Sequence, residues 1–158
     1  MKNSRFWSVG LFVCFALANL GAAGTTKIVA SNRLPFHVDL PTGFHVEHLV
    51  GPDFDVYYFN QGKRSFAGAY VGTAPHFHDP CPEKEVCQSV VCVDHRPVRR
   101  EVLYLIKQDP YRFPISLHAW TNEVANAQER GKAEAILLSI RGPGHGDALS
   151  IDQLKSCP

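Results

Sequence analysis

Between Gly51 and Gly72 the chain reads GPDFDVYYFNQGKRSFAGAYVG, two runs in which aromatic and small residues alternate around a polar loop, NQGKR. Period-two alternation around a Gly-containing loop is the signature of a β-hairpin. Similar patterns predict strands at Lys27–Ala30, Phe36–Leu40, Phe44–Val50, Val86–Val93, Glu101–Gln108 and Arg112–Trp120. Of these, EVLYLIKQ (101–108) reads as the central strand and FHVEHLV (44–50) as one at or near an edge. Turn residues punctuate them at Pro41-Thr42-Gly43, Gly51-Pro52-Asp53 and Asp109-Pro110. The proline-rich stretch 72–82 predicts a loop, and HRPVRR (95–100) a basic bend. Near the C-terminus the period changes. Ala133, Ile136, Leu137 and Ile140 recur at helical spacing, Asn126 and Glu129 have capping-box spacing, and Gly142-Pro143 is a stop signal, giving a helix over 127–141 with Arg141 at its dipole end.

The faces of the hairpin depend on its register. An even loop places Phe54, Val56 and Tyr58 with Ala67, Ala69 and Val71 on one face, expected under the helix. The other face then carries Tyr57, Phe59, Phe66 and Tyr70, which form either a second core or, with Lys63 and Arg64 beside them, an interface of rigid rings with basic edges.

The start of the chain adds a compartment. Lys2 and Arg5 precede an apolar run, Val9–Leu20, and small residues with Gly21 and Ala23 at signal-peptidase spacing. Residues 1–23 are therefore read as a secretory signal peptide and 24–158 as a single exported domain, periplasmic or secreted. The apolar run is short of the roughly 20 residues that span a bilayer, so no membrane span is expected after cleavage. The whole chain has 16 Lys+Arg and 15 Asp+Glu; losing Lys2 and Arg5 leaves 14 bases against those 15 acids. That near-neutrality argues against a partner recognised by phosphate neutralisation, so no nucleic acid is expected. Cleavage also removes Cys14 and leaves Cys81, Cys87, Cys92 and Cys157, which in an exported domain read as two disulfides with three possible pairings. Fastening Cys157 back onto the fold would close a loop of about 65 to 75 residues, worth roughly 4 kcal/mol.

Several antiparallel strands followed by one long helix give an α+β fold, an antiparallel sheet with the helix packed on one face. The Pro-x-Gly-Phe opening (Pro41–Phe44), the hairpins, a late strand ending His118–Trp120 and the closing helix together resemble PsbP-like α/β/α domains. The resemblance covers most of residues 24–158 through layout, with no diagnostic motif, and implies a binding or assembly role. The cysteine segment 81–92 departs from that family's pattern.

Chemistry is sparse. His76-Phe77-His78-Asp79 places two imidazoles on one side of an extended segment, with Asp79 or His95 as a third ligand, a set suited to a divalent transition metal such as zinc. Glu83 stands where the HxH-x4-E pattern of cupins places its carboxylate, although Tyr70 occupies that pattern's glycine position. There is no G-x-S-x-G, H-E-x-x-H or C-x-x-C, so no catalytic residue and no cofactor is assigned. Arg96, Arg99 and Arg100 form a basic patch able to meet an acidic partner. The function expected is a non-enzymatic protein-binding domain, with an inhibitor or immunity-like partner of an envelope-targeting enzyme as its role. The alternative is a metal-binding protein built on His76 and His78.

Overall fold

The computed structural model describes residues 26–30, 33–81, 86–106, 115–142, 149–150, 152 and 154–157; the expected signal peptide, Glu83 and the turn expected at Asp109-Pro110 lie outside them. Among these residues seven strands form one sheet: β1 (Thr26–Val29), β2 (Phe44–Val50), β3 (Phe54–Gln61), β4 (Arg64–Gly72), β5 (Val86–Val93), β6 (Arg96–Ile106) and β7 (Ile115–Thr121). Their order is β1-β2-β3-β4-β7-β6-β5, and every pairing is antiparallel. One helix, α1 (Ala127–Ser139), crosses a face of β4, β7 and β6. The fold is the expected α+β sheet with a C-terminal helix on one face.

The hairpin register differs from the expected one, and the cause is a single residue. Gln61 does pair with Arg64 across a two-residue turn, as an even loop requires. Asn60 then pairs with Ser65 but Phe59 with Ala67, so Phe66 is an extra residue in β4. Beyond such a bulge the two strands exchange faces relative to each other. Tyr57 and Phe59 therefore lie with Ala67 and Ala69 on the helix face, in the core with Ile136, Leu137 and Ile140. Phe54, Val56 and Tyr58, expected under the helix, lie half-buried on the opposite face. There the Trp120 ring rests on Gly68, where a Cβ would come within 2.4 Å of it. Only glycine admits that contact.

The helix begins as the capping pattern predicts, with Asn126 Oδ1 accepting from Glu129 N–H at 2.9 Å. Its apolar stripe, Ala133, Ile136, Leu137 and Ile140, is fully buried. Full burial of each large aliphatic side chain contributes about 1.5–3 kcal/mol. The helix ends earlier than the Gly-Pro signal implies. Ile140 is already extended, and its carbonyl accepts from Tyr104 Oη at 2.8 Å. Arg141 is thus outside the last turn and exchanges two backbone hydrogen bonds with His37, each 3.0 Å. The strand expected at 36–40 does not form: its only ladder contact is the isolated bridge of His37 with Arg141, and the segment crosses the helix end and buries Phe36 and Val38. Burial pushes the Tyr104 phenol up to about 12, against the opposing pull of Arg141.

The cysteines pair Cys81–Cys87 and Cys92–Cys157, with Cα separations of 5.7 and 6.0 Å. Two disulfides fit an oxidising compartment. No helix among the described residues is long and apolar enough to cross a membrane.

Candidate functional site

The basic bend expected at 95–100 is in fact strand. β6 starts at Arg96, and β5 pairs with it all the way from Val86↔Tyr104 to Val93↔Arg96. β7 pairs with β6 only from Glu101 to Ile106. Asn122 N–H donates to Phe66 C=O at 2.8 Å, so the chain leaving β7 stays with β4. Past Glu101, the β5–β6 ribbon runs on beyond the body of the sheet. On its β7 side the Arg100 N–H finds the Thr121 hydroxyl at 2.9 Å, and on that side no described strand continues the ladder along residues 96–99, which pair with β5 alone.

The ribbon ends in a turn at Asp94 and His95, both left-handed, with φ of 49° and 58°. Two consecutive positive-φ residues make a type I′ hairpin turn, for which Asn-Gly is the usual solution. Here side chains occupy both positions, at a cost of order 1 kcal/mol or more each. The tip is stapled beside the turn by Cys92–Cys157. Val93 is 55% exposed, and it and Val50 are the two large apolar side chains that stand out among the described residues.

Between this ribbon and the β7–α1 connection lies a cavity of about 490 Å³, lined by residues 93–94, 96–100 and 121–125 with Arg130 and Glu134 of α1. It brings the three predicted arginines to one place and adds Arg130, which no sequence pattern singled out. Their guanidinium groups differ in freedom. Arg100 faces the helix, held by Glu134 at 2.7 Å and by the Lys155 carbonyl. Arg99 turns to the other face, 2.6 Å from Glu101 Oε1 and over the Trp120 ring at 5.5 Å. Arg96 and Arg130 have no ion pair among the described residues.

The remaining candidates do not join them. Tyr57, Phe59 and Phe66 are 5%, 0% and 3% exposed, so the aromatic interface read from the sequence is core; the bulge at Phe66 put it under α1. Arg64 is drawn to Glu129 of the helix, and Lys63 is exposed at the turn. Tyr70 is on the outer face, stacked on Phe54 at 5.7 Å, and its hydroxyl accepts from Ala74 N–H. The metal set does not assemble: among the described residues no three His, Cys, Asp or Glu side chains converge. Asp79 pairs with Lys155 at 3.2 Å instead. Phe77, between the two histidines, packs edge-on against His118 at 5.6 Å, which holds that segment against the outer face of the sheet.

Beneath this loop lies a polar cluster that no local pattern marks. Glu101 and His118 are 3% and 2% exposed, with Oε2 and Nε2 3.6 Å apart. Glu101 also accepts from the His78 N–H at 3.0 Å. Burial alone would push the Glu101 carboxyl up, but the His118 ring, the His78 N–H and Arg99 together outweigh it and hold the carboxyl below its ordinary value. With its oxygens engaged by His118, Arg99 and the loop backbone, Glu101 acts as a latch for residues 73–81. Period-two pattern reading assigns an acid at that strand position to solvent, so only the loop that covers it reveals the role.

No protein-family model matches the chain, and neither a curated protein nor a solved structure does.

Proposed function

We propose that this is an exported, non-enzymatic protein-binding domain whose binding end is the projecting β5–β6 ribbon with the arginine-lined cleft beneath it. One observation carries the reading: a two-stranded ribbon reaches past the sheet, strained at Asp94-His95, stapled by Cys92–Cys157 and tipped by exposed Val93. A rigid protrusion loses little entropy on docking, which favours its use as a recognition element. Backbone strain that the surrounding structure must sustain is typical of functional segments. The PsbP-like layout points the same way, to binding and assembly. An inhibitor or immunity-like partner of an envelope-targeting enzyme, in the periplasm or outside the cell, needs such a protrusion and no catalytic residue of its own.

Quantitative affinity capture from the native envelope fraction tests this, with wild type and Val93→Glu as paired baits. A protein retained in stoichiometric amount by wild type and lost by the variant is the expected result. A partner held equally by both baits, or none held by either, would overturn it.

A further inference from the structure

β5 ends the sheet on one side, and its sequence, VCQSVVCV, holds no charge, no proline and no glycine. An edge of that composition is one that other strands join unless something blocks it. Its outward groups follow from the register. Arg100 sends its N–H to the Thr121 hydroxyl, away from β5, so its partner Val90 exchanges no ladder bonds with it. By alternation the N–H and C=O groups of Val86, Gln88, Val90 and Cys92 face the free side, where no described strand lies.

A clasp occupies that side instead. Cys87 and Cys92 have opposite parity along β5 and so point to opposite faces. Cys81 fastens the 73–81 loop to Cys87 on the outer face, and Cys157 fastens the C-terminal segment to Cys92 on the helix face. The two segments meet where Lys155 Nζ lies 3.2 Å from Asp79 Oδ2, while the Lys155 carbonyl accepts from Arg100 on the helix face. A short link from face to face passes β5 on its free side, because β6 fills the other. It also explains why Ser89, on an edge strand, is only 3% exposed. The ion pair that closes the clasp is 55% and 38% exposed, so it contributes little and is screened by salt. On the strand it guards, Ser89 Oγ and Gln88 Oε1 are buried without a hydrogen-bond partner among the described residues. Each such atom is destabilising, because it has lost water and gained nothing. The clasp is weakly held over unsatisfied groups.

We propose that β5 is a pairing site for a second copy of this chain, which adds antiparallel about Ser89 once the Asp79–Lys155 clasp swings aside. The strand's own unsatisfied groups select that occupant and that register. A two-fold axis through Ser89 sets Gln88 against Val90 of the second copy and Val86 against Cys92, so that outward-facing residues meet outward-facing residues. Ser89 then faces Ser89 of the second copy as a non-hydrogen-bonded pair, with Cα atoms about 4.5 Å apart. Gln88 lies diagonally from Gln88 of the second copy, within reach of a long side chain. Hydroxyl and carboxamide each carry both a donor and an acceptor, so each satisfies its own counterpart. This pairing is separate from the ribbon-tip reading above, since its occupant is the chain itself.

Sedimentation equilibrium of the oxidised chain tests it, with wild type, Lys155→Ala and Lys155→Ala/Val90→Pro. Lys155→Ala removes the charge that closes the clasp and leaves both disulfides in place. It should strengthen self-association at least tenfold, and wild type should approach it as salt rises. Adding Val90→Pro deletes an outward N–H that β6 does not use, and should return the chain to monomer with its fold intact by amide NMR. If the proline variant does not fold, Val90→Lys, which sets two lysines diagonally across the pairing, should give the same monomer. Amide exchange at Val86, Gln88 and Val90 should slow as concentration rises. Wild type and Lys155→Ala both remaining monomeric, or associating equally, would overturn the proposal. So would a dimer that survives the change at residue 90, or slowed exchange at β1 in place of β5.

Discussion

The β3–β4 and β5–β6 hairpins are built alike and placed in opposite surroundings. Each has a two-residue turn, and each has one register shift, between Phe59 and Asn60 in the first and between Val91 and Cys92 in the second. The first turns at Gly62, whose φ of 62° suits its first position and carries no strain. It has neighbours on both sides, β2 and β7, and its bulge delivers Phe66 into the core. The second turns on two side-chain-bearing residues in the left-handed region and overshoots its neighbour. Its tip exposes valine rather than burying it. The lesson is that a bulge and a tight turn do not by themselves say what a hairpin is for. The neighbours decide: one hairpin is enclosed and stabilises the fold, the other is held out by a disulfide.

The largest effect expected is on the enclosed hairpin. Phe59→Ala should cost about 3–5 kcal/mol, since the ring is wholly buried, whereas Val93→Ala should stay within about 0.5 kcal/mol. Chemical denaturation of both variants makes the comparison, and equal losses would remove the distinction. Next, the staple: Cys92→Ser/Cys157→Ser should lose about 4 kcal/mol from a bond spanning 65 residues, against about 2 kcal/mol for Cys81→Ser/Cys87→Ser, which spans 6. Thermal unfolding under oxidising conditions should rank them in that order.

Acid dependence separates the latch from the ribbon. The Glu101 carboxyl is held below its ordinary value in the folded chain, so it contributes stability above about pH 4.3 that is lost as pH falls through the folded value. Glu101→Gln should flatten that acid limb, and a limb unchanged by the substitution would show that the latch is not ionic. The smallest effect concerns the strained turn. Replacing Asp94-His95 by Asn-Gly should raise stability by about 1 kcal/mol or less while leaving the ribbon in place. A loss of stability would mean that the native side chains contribute more there than their backbone conformation costs.

How much of this was legible beforehand follows from what local pattern can carry. The hairpin at 51–72, the strand at 44–50 and the helix stripe are local periodicities, and they hold in the structure. The stripe was readable because Ala133, Ile136, Leu137 and Ile140 meet one surface. The face assignment of Tyr57 and Phe59 was not readable, because inserting Phe66 changes parity without changing composition. The helix end at Ser139 was misplaced because Tyr104 and His37, distant in sequence, take over the last carbonyls and the following strand-like pairing. The arginines were found as a patch but as a bend; that they edge a cleft depends on where β7 stops. Glu101 and His118 lie on neighbouring strands and are brought together by register and by a covering loop. Disulfide pairing likewise awaited the fold, since spacing left three alternatives open.

The central claim is that the β5–β6 end, and not the β3–β4 end, is the binding surface. Site-specific photocrosslinking in the native host tests it most directly, with benzoylphenylalanine in place of His95 in one chain and of Lys63 in another, both positions being exposed turn residues. The account predicts a discrete protein crosslink from position 95 and none from position 63. A crosslink from 63 alone, or from neither, would contradict it.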